Sequence, residues 1–274
     1  MKSLKGNIFF KNTDLKKNIN KISNVFNKYG VVVIDNFFKS NGNKSFEIYK
    51  KDLTQLFNII KKKTKYKSLS EVRRKDPKLL GRIVDLGSKP NNIISGIELK
   101  VHPNMLKLSR KLLNTKLLGT MNTSDRLFYE GNSKYEKQYF QNIHNDYNYV
   151  FQSKNALTAS IGLSSEKCSG GVDVYLKSHK LNFKVKKDKN ERPQIQNKDL
   201  KKLKKFEKVF ISHKYGRVTF FHTFTYHCTV QNKSNNLRVA QIFRYSDLNS
   251  IDLEKFSYKG KKYSKSTGRP IKLS

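Results

Sequence analysis

Two short stretches in the second half of the chain carry residue types that could do metal chemistry together. The first, Gln141-Asn142-Ile143-His144-Asn145-Asp146-Tyr147, sets an imidazole and a carboxylate two positions apart. On an extended strand residues i and i+2 project to the same side, so His144 and Asp146 could grip one ion. Joined by a second histidine, they make the two-histidine, one-carboxylate set that suits non-haem iron(II) and leaves coordination positions open. An HxD pair alone recurs by chance, and a histidine near a strand end is ordinarily structural. The second stretch, Tyr226-His227-Cys228-Thr229, supplies the further histidine, and a strand opens at Arg238 after the turn-forming Asn232-Lys233-Ser234-Asn235-Asn236. A hairpin over this step could bring Arg238 beside His227 on one inner face. A buried arginine requires an anion, and a dicarboxylate supplies one through bidentate hydrogen bonds, worth about 1.5–3 kcal/mol each. The competing reading pairs Arg238 with a local carboxylate on an exposed strand face; Arg244 and Arg126 are next in line as clamps. His222 rivals His227, but it stands too far from Arg238 for the same hairpin. His102, His179 and His213 read as packing or surface residues, and Cys228 should point away from the metal because its neighbour points in.

These residues need a rigid frame, and the patterning describes one. Leu15, Ile19, Ile22, Val25 and Phe26 fall at steps of three and four behind a cap at Thr13, as do Phe46, Tyr49, Leu53, Leu56, Phe57 and Ile60, and a further helix starts after Pro103. Val31 to Ile34 forms a β-branched run after Gly30. From about residue 120 the texture changes to short β-prone segments at 126–129, 156–163, 172–176, 209–212, 218–222 and 238–245, separated by Gly, Asn and Ser clusters. The expected architecture is therefore α+β with a mainly β core. Helices occupy 1–119 and a barrel 120–254, in one domain ending near 254, followed by a basic, loose tail at 255–274. Residues 180–208 hold twelve Lys/Arg and four Asp/Glu, a net +8, between two strands. An insertion of that length is often a lid or a binding loop.

Composition narrows the class. There are 57 Lys+Arg against 21 Asp+Glu, a net +36. That charge points either to an anionic partner or to a general Lys and Asn enrichment of genomic origin. Eighteen Phe and fourteen Tyr provide a core that a disordered chain would lack. The two cysteines, Cys168 and Cys228, make no disulfide framework or zinc spacing. The apolar run Ile8-Phe9-Phe10 is too short for a signal peptide, and no stretch approaches a membrane span. A soluble, cytoplasmic protein is expected.

Taken together the motifs resemble the phytanoyl-CoA dioxygenase-like branch of the Fe(II)/2-oxoglutarate oxygenases. That family shows HxD, a glycine-rich strand ending in Gly-Ser-His, then Gly…Phe-His, and His-x10-Arg. This chain has His144-Asn145-Asp146, Gly170-Gly171 to Lys177-Ser178-His179, Gly216 to Phe221-His222, and His227 to Arg238. Lys28-Tyr29-Gly30-Val31-Val32-Val33-Ile34 matches the opening helix-to-strand step, so the resemblance runs from about residue 15 to 248. Two departures are Lys177 in place of the usual Gly before Ser178, and the lack of Trp ahead of HxD. The resemblance implies a double-stranded β-helix, the jelly-roll or cupin-like barrel, with N-terminal helices packed on it. It also implies iron ligands His144, Asp146 and His227, with Arg238 and Thr229 holding 2-oxoglutarate. The implied reaction consumes O2 and 2-oxoglutarate and hydroxylates a C–H bond, with ascorbate as the reductant in vitro. The presence of Asp146 argues against halogenation. A small-molecule substrate is expected, including anionic or carrier-linked metabolites. The alternatives are a protein or nucleic-acid substrate for the same site, or a basic nucleic-acid-binding protein with an inactive barrel. No RNP, helix-turn-helix or zinc module favours the last of these.

Overall fold

The computed structural model of the chain describes residues 8–12, 14–38, 44–67, 71–72, 75–76, 78–79, 93–120, 126–130, 142–149, 153–164, 170–181, 183, 185–187, 193–234 and 238–250. Apolar residues at helical spacing build α1 (Asp14–Tyr29), α2 (Ser45–Lys62), α3 (Ile94–Lys100) and α4 (Pro103–Leu113). The last starts on a proline, which needs no partner for its missing N–H, and His102 Nδ1 accepts from Asn104 N at 3.1 Å to cap it. The helices bury Ile22, Phe26, Tyr49, Leu53, Leu99, Met105, Leu108 and Leu112 in one core. The sequence reading had no helix at 94–100.

Twelve described strands follow in chain order. They are β1 (Phe9–Lys11), β2 (Val31–Asp35), β3 (Leu118–Thr120), β4 (Arg126–Glu130), β5 (Ala156–Gly162), β6 (Gly171–Tyr175), β7 (Val185–Lys187), β8 (Pro193–Ile195), β9 (Lys208–Ser212), β10 (Val218–His222), β11 (His227–Val230) and β12 (Arg238–Asp247). The larger sheet runs β1-β2-β10-β5-β12-β3, with β4 also on β12, and the smaller runs β11-β6-β9. All pairs are antiparallel except β1 with β2.

Strand alternation decides what each face meets. Leu157, Ala159 and Ile161 of β5, and Phe243 and Tyr245 of β12, pack on the helices. Val31, Val33, Val172, Val174, Val209, Ile211 and Phe221 fill the space between the two sheets. That apolar filling reaches Phe221, whose ring lies 4.5 Å from the His227 ring. Polar residues are buried on the strands there too, among them Thr158, Ser160, His227, Thr229, Arg238 and Arg244. The result is a double-stranded β-helix with the N-terminal helices covering its larger sheet.

Two backbone positions hold the site end in shape. Gly30 turns α1 into β2 at φ +77°, and a Cβ there would come within 2.6 Å of Thr225 Oγ1. Lys177, where the related pattern has glycine, keeps the glycine conformation with φ 66°, and its N–H donates to the Tyr29 carbonyl at 2.8 Å.

One expectation is corrected. His227 and Arg238 do not lie on a hairpin: β11 belongs to the smaller sheet and β12 to the larger. Arg238 approaches β11 from across the barrel, with Nη1 3.5 Å from the Val230 carbonyl. The basic insertion contains the β7–β8 hairpin and a helix, α6 (Asn197–Leu203). Ile195, Leu203, Leu181, Phe183, Leu200 and Phe206 pack with Tyr175, Tyr226 and Ile143. Two of those contacts, Ile143 and Tyr226, immediately precede His144 and His227 in the chain. The tail at 255–274, Cys168 and the cap at Thr13 lie outside the described residues.

Candidate metal centre

His144 and His227 exchange a pair of backbone hydrogen bonds, His144 N to His227 O at 3.0 Å and His227 N to His144 O at 2.8 Å. This bridge fixes the two imidazoles side by side, with ring centroids 4.3 Å apart. Asp146 joins them by a route that strand alternation did not foresee. The chain leaves the bridge and turns at once into α5 (Asp146–Tyr149), and this turn directs the carboxylate back to the histidines. Asp146 Oδ1 lies 3.8 Å from Nε2 of both rings. One ligand atom from each residue falls within 4.8 Å of the others, so the three could hold one ion. All three side chains are buried.

The tautomers suit a metal. His144 Nδ1 lies 2.7 Å from the Asn142 carbonyl and His227 Nδ1 lies 2.9 Å from the Thr225 carbonyl. A carbonyl only accepts, so each Nδ1 carries the proton and each Nε2 presents its lone pair inward. Burial, followed by the neighbouring His227, pushes the His144 imidazole down to about 3, against the opposing pull of Asp146. Burial likewise lowers His227. Both rings are therefore neutral near pH 7, the state a metal ligand requires. Burial also raises the Asp146 carboxyl. Arg244, the two imidazoles and the Thr158 hydroxyl outweigh it and hold the group well below the usual carboxylate range. Thr158 Oγ1 donates to Asp146 Oδ2, and Arg244 Nη2 stands 3.5 Å from the same oxygen.

Alternation along β11 puts Thr229 on the His227 face, and both are buried. Arg238 is buried at the start of β12, with Nε donating to His213 Nδ1 at 3.1 Å. His222 does not join the group: its ring packs on Phe26, His179 and Phe224. Cys228 alternates away from the His227 face, opposite Asp173 of β6.

Sequence reasoning missed Thr158 as a partner of Asp146, considered Arg244 only as a substitute clamp, and read His213 as packing. The signal was present for the first two. Thr158 shares its face of β5 with Ser160, and Arg244 shares its face of β12 with Arg238, six residues away.

Fold and site together define a 2-oxoglutarate-dependent oxygenase. Within that class the chain belongs to the phytanoyl-CoA dioxygenase (PhyH) family, whose sequence pattern matches residues 26–240. Comparison with curated protein sequences gives no match. Among solved structures, the epimerase SnoN in complex with Fe3+, alpha ketoglutarate and nogalamycin RO aligns over 93% of this chain and 94% of its own, with TM-score 0.62 and 14% identity. EctD from S. alaskensis with bound Fe aligns over 83% of this chain and 76% of its own, with TM-score 0.55 and 15% identity. The non-heme monooxygenase ThoJ aligns over 82% and 76%, with TM-score 0.53 and 13% identity. At these identities what is shared is the fold.

Proposed function

We propose that this protein is an Fe(II)- and 2-oxoglutarate-dependent dioxygenase that hydroxylates a C–H bond of a small molecule. In this reading His144, Asp146 and His227 hold the iron, and Arg238 with Thr229 binds the far carboxylate of 2-oxoglutarate. The observation that carries it is the tautomer lock. Two histidines give their Nδ1 protons to backbone carbonyls and aim both Nε2 atoms at one carboxylate oxygen. A site made only for packing has no need to orient two neutral imidazoles this way. The small-molecule assignment draws on neighbours described as coming from nogalamycin biosynthesis or bound to 5-hydroxyectoine.

When bound, the metal and its co-substrate supply the activation of O2. The chain supplies placement. Three ligands on one face leave the opposite face for co-substrate and O2. The inter-sheet core ends at Phe221 against the His227 ring, an apolar wall that would keep water from that side of the site.

The test is anaerobic reconstitution with Fe(II) and 2-oxoglutarate, read by the weak visible charge-transfer band of a keto acid chelated to iron. Asp146→Ala and His227→Ala should each abolish the band. If both variants retain it, the ligand assignment fails.

A further inference from the structure

Arg238 is held by a chain of side chains from two other parts of the barrel. Its Nε donates to His213 Nδ1 at 3.1 Å, and His213 Nε2 lies 2.9 Å from Ser160 Oγ. Arginine has donors only, so the nitrogen facing it must offer a lone pair. The His213 proton therefore sits on Nε2 and goes to the Ser160 hydroxyl. Both ring nitrogens are assigned and the imidazole is held at two points. Arg238, His213 and Ser160 are 3%, 6% and 2% exposed, so water does not compete for these bonds.

The fold goes out of its way to bring His213 here. It lies in the turn between β9 and β10, whose backbone closes onto the end of β5. Gly216 N donates to Gly162 O at 3.0 Å, and Gly162 N donates to Arg217 O at 2.8 Å. Gly162 permits the approach, because a Cβ there would run into the Lys214 carbonyl. Burial, then Arg238 and Arg217 nearby, hold His213 far below its ordinary pKa, so it stays a neutral acceptor.

We infer that His213 is a positioning residue for 2-oxoglutarate, setting the plane of the Arg238 guanidinium from its Nε edge, with Ser160 fixing the tautomer that makes this possible. With Nε committed to the imidazole and Nη1 3.5 Å from the Val230 carbonyl, a carboxylate would meet the terminal nitrogens in an orientation the ring determines, in exchange for such weaker contacts. A guanidinium fork is planar, so its plane decides whether a carboxylate meets two donors or one. The inference rests on the reading of Arg238 as the 2-oxoglutarate clamp.

The experiment measures 2-oxoglutarate affinity by calorimetry on anaerobic Mn(II)-loaded protein, together with Mn(II) affinity and the thermal midpoint. Arg238→Ala tests the underlying reading and should raise the 2-oxoglutarate Kd at least about tenfold. His213→Phe keeps a ring without an acceptor and should raise it roughly five- to tenfold, with Mn(II) affinity within about twofold. His213→Asn places an amide oxygen near the Nδ1 position and should recover most of the loss. Ser160→Ala frees the ring and should give a smaller rise of the same kind. The double variant His213→Phe/Arg238→Ala should bind no more weakly than Arg238→Ala, because the ring acts only through the arginine. If His213→Phe does not fold, His213→Leu, which also lacks the acceptor, and Ser160→Ala decide the matter by the same Kd. Arg238→Ala weakening 2-oxoglutarate while the folded His213→Phe and Ser160→Ala variants leave it unchanged overturns the inference alone, as does full additivity in the double variant. An unchanged Kd in Arg238→Ala overturns the clamp reading itself.

Discussion

Arg244 and Asp146 meet inside the barrel, guanidinium Nη2 to carboxylate Oδ2 at 3.5 Å, although 98 residues separate them in the chain. Asp146 has two oxygens with divided roles. Oδ1 faces the histidines, while Oδ2 accepts from Thr158 and stands against Arg244. The arginine and the threonine thus hold the carboxylate ionised and aimed, leaving Oδ1 to the proposed metal.

This division predicts the behaviour of two variants. Arg244→Met and Thr158→Val should each weaken Fe(II) binding about 10- to 100-fold, the usual loss when a partner of a ligand is removed. The effect of Arg244→Met should grow as pH falls, since without the cation the Asp146 carboxyl rises toward its ordinary range and protons compete. Anaerobic metal titration at two pH values checks this. Wild-type affinity in both variants would show that the ligand needs no such support.

A second carboxylate contributes to stability rather than chemistry. Asp247, at the end of β12, accepts from Thr115 Oγ1 at 2.6 Å, Ser250 Oγ at 2.9 Å, Asn249 N at 3.0 Å and Asn155 Nδ2 at 3.1 Å. Burial raises its pKa, but these donors outweigh it and bring the group from 3.8 down to about 2. A carboxyl lowered by folding stabilises the native state fully above its unfolded value. That contribution is lost as pH falls from about 4 through about 2. Asp247→Asn should cost about 1–3 kcal/mol at pH 7 and flatten the acid dependence over that window, measured by urea unfolding at a series of pH values. An unchanged acid limb would exclude the role.

The sequence carried local information well and distant pairing poorly. The β segments at 156–163, 218–222 and 238–245 were legible from alternation, and β5, β10 and β12 formed within a few residues of those limits. The three residues that converge on the candidate metal centre could be picked out because two histidines and one aspartate at motif spacing form a rare combination. The helical turn at Asp146 was not, since a four-residue turn leaves no periodicity to read. Nor was the division of β11 and β12 between sheets, because strand partners are chosen by contacts far apart in the chain. The partners of His213 were not legible for the same reason: Arg238 and Ser160 lie 25 and 53 residues away.

Lys177 offers a test of backbone strain. It holds φ 66° where the related pattern has glycine. A side chain in the left-handed region costs roughly 1–2 kcal/mol, and the entropy glycine gains in the unfolded chain takes back about 0.4–1 of that. Lys177→Gly should therefore stabilise by up to about 1.6 kcal/mol, while Lys177→Val should destabilise. Denaturant midpoints decide it, and a destabilised glycine variant would mean that the lysine side chain contributes more than its backbone costs.

The last prediction concerns the basic insertion at 180–208, which we propose as a cationic rim over the site. Its apolar side is anchored through Phe183, Ile195 and Leu203 beside Tyr226 and Ile143, and Phe183 N donates to Tyr226 Oη at 3.3 Å. Its other side carries charge: Lys201, Lys202, Lys204 and Lys205 are all exposed. Asp199 takes one of them, with Lys202 Nζ at 3.4 Å. The net +8 over this segment is about twice the density of the whole chain at +36, so general lysine enrichment does not account for it. A charged rim raises the local concentration of an anionic substrate. That attraction fades as salt shortens the screening length from about 10 Å at 0.1 M to about 3 Å at 1 M. Replacing the four lysines with Gln should raise the KM of an anionic substrate several-fold at low salt and flatten its salt dependence. The affinity for 2-oxoglutarate, for which the buried Arg238 is the proposed clamp, should stay as it was. Steady-state kinetics at two ionic strengths read both effects, and a quadruple variant with wild-type KM at low salt would leave the rim without a role in capture.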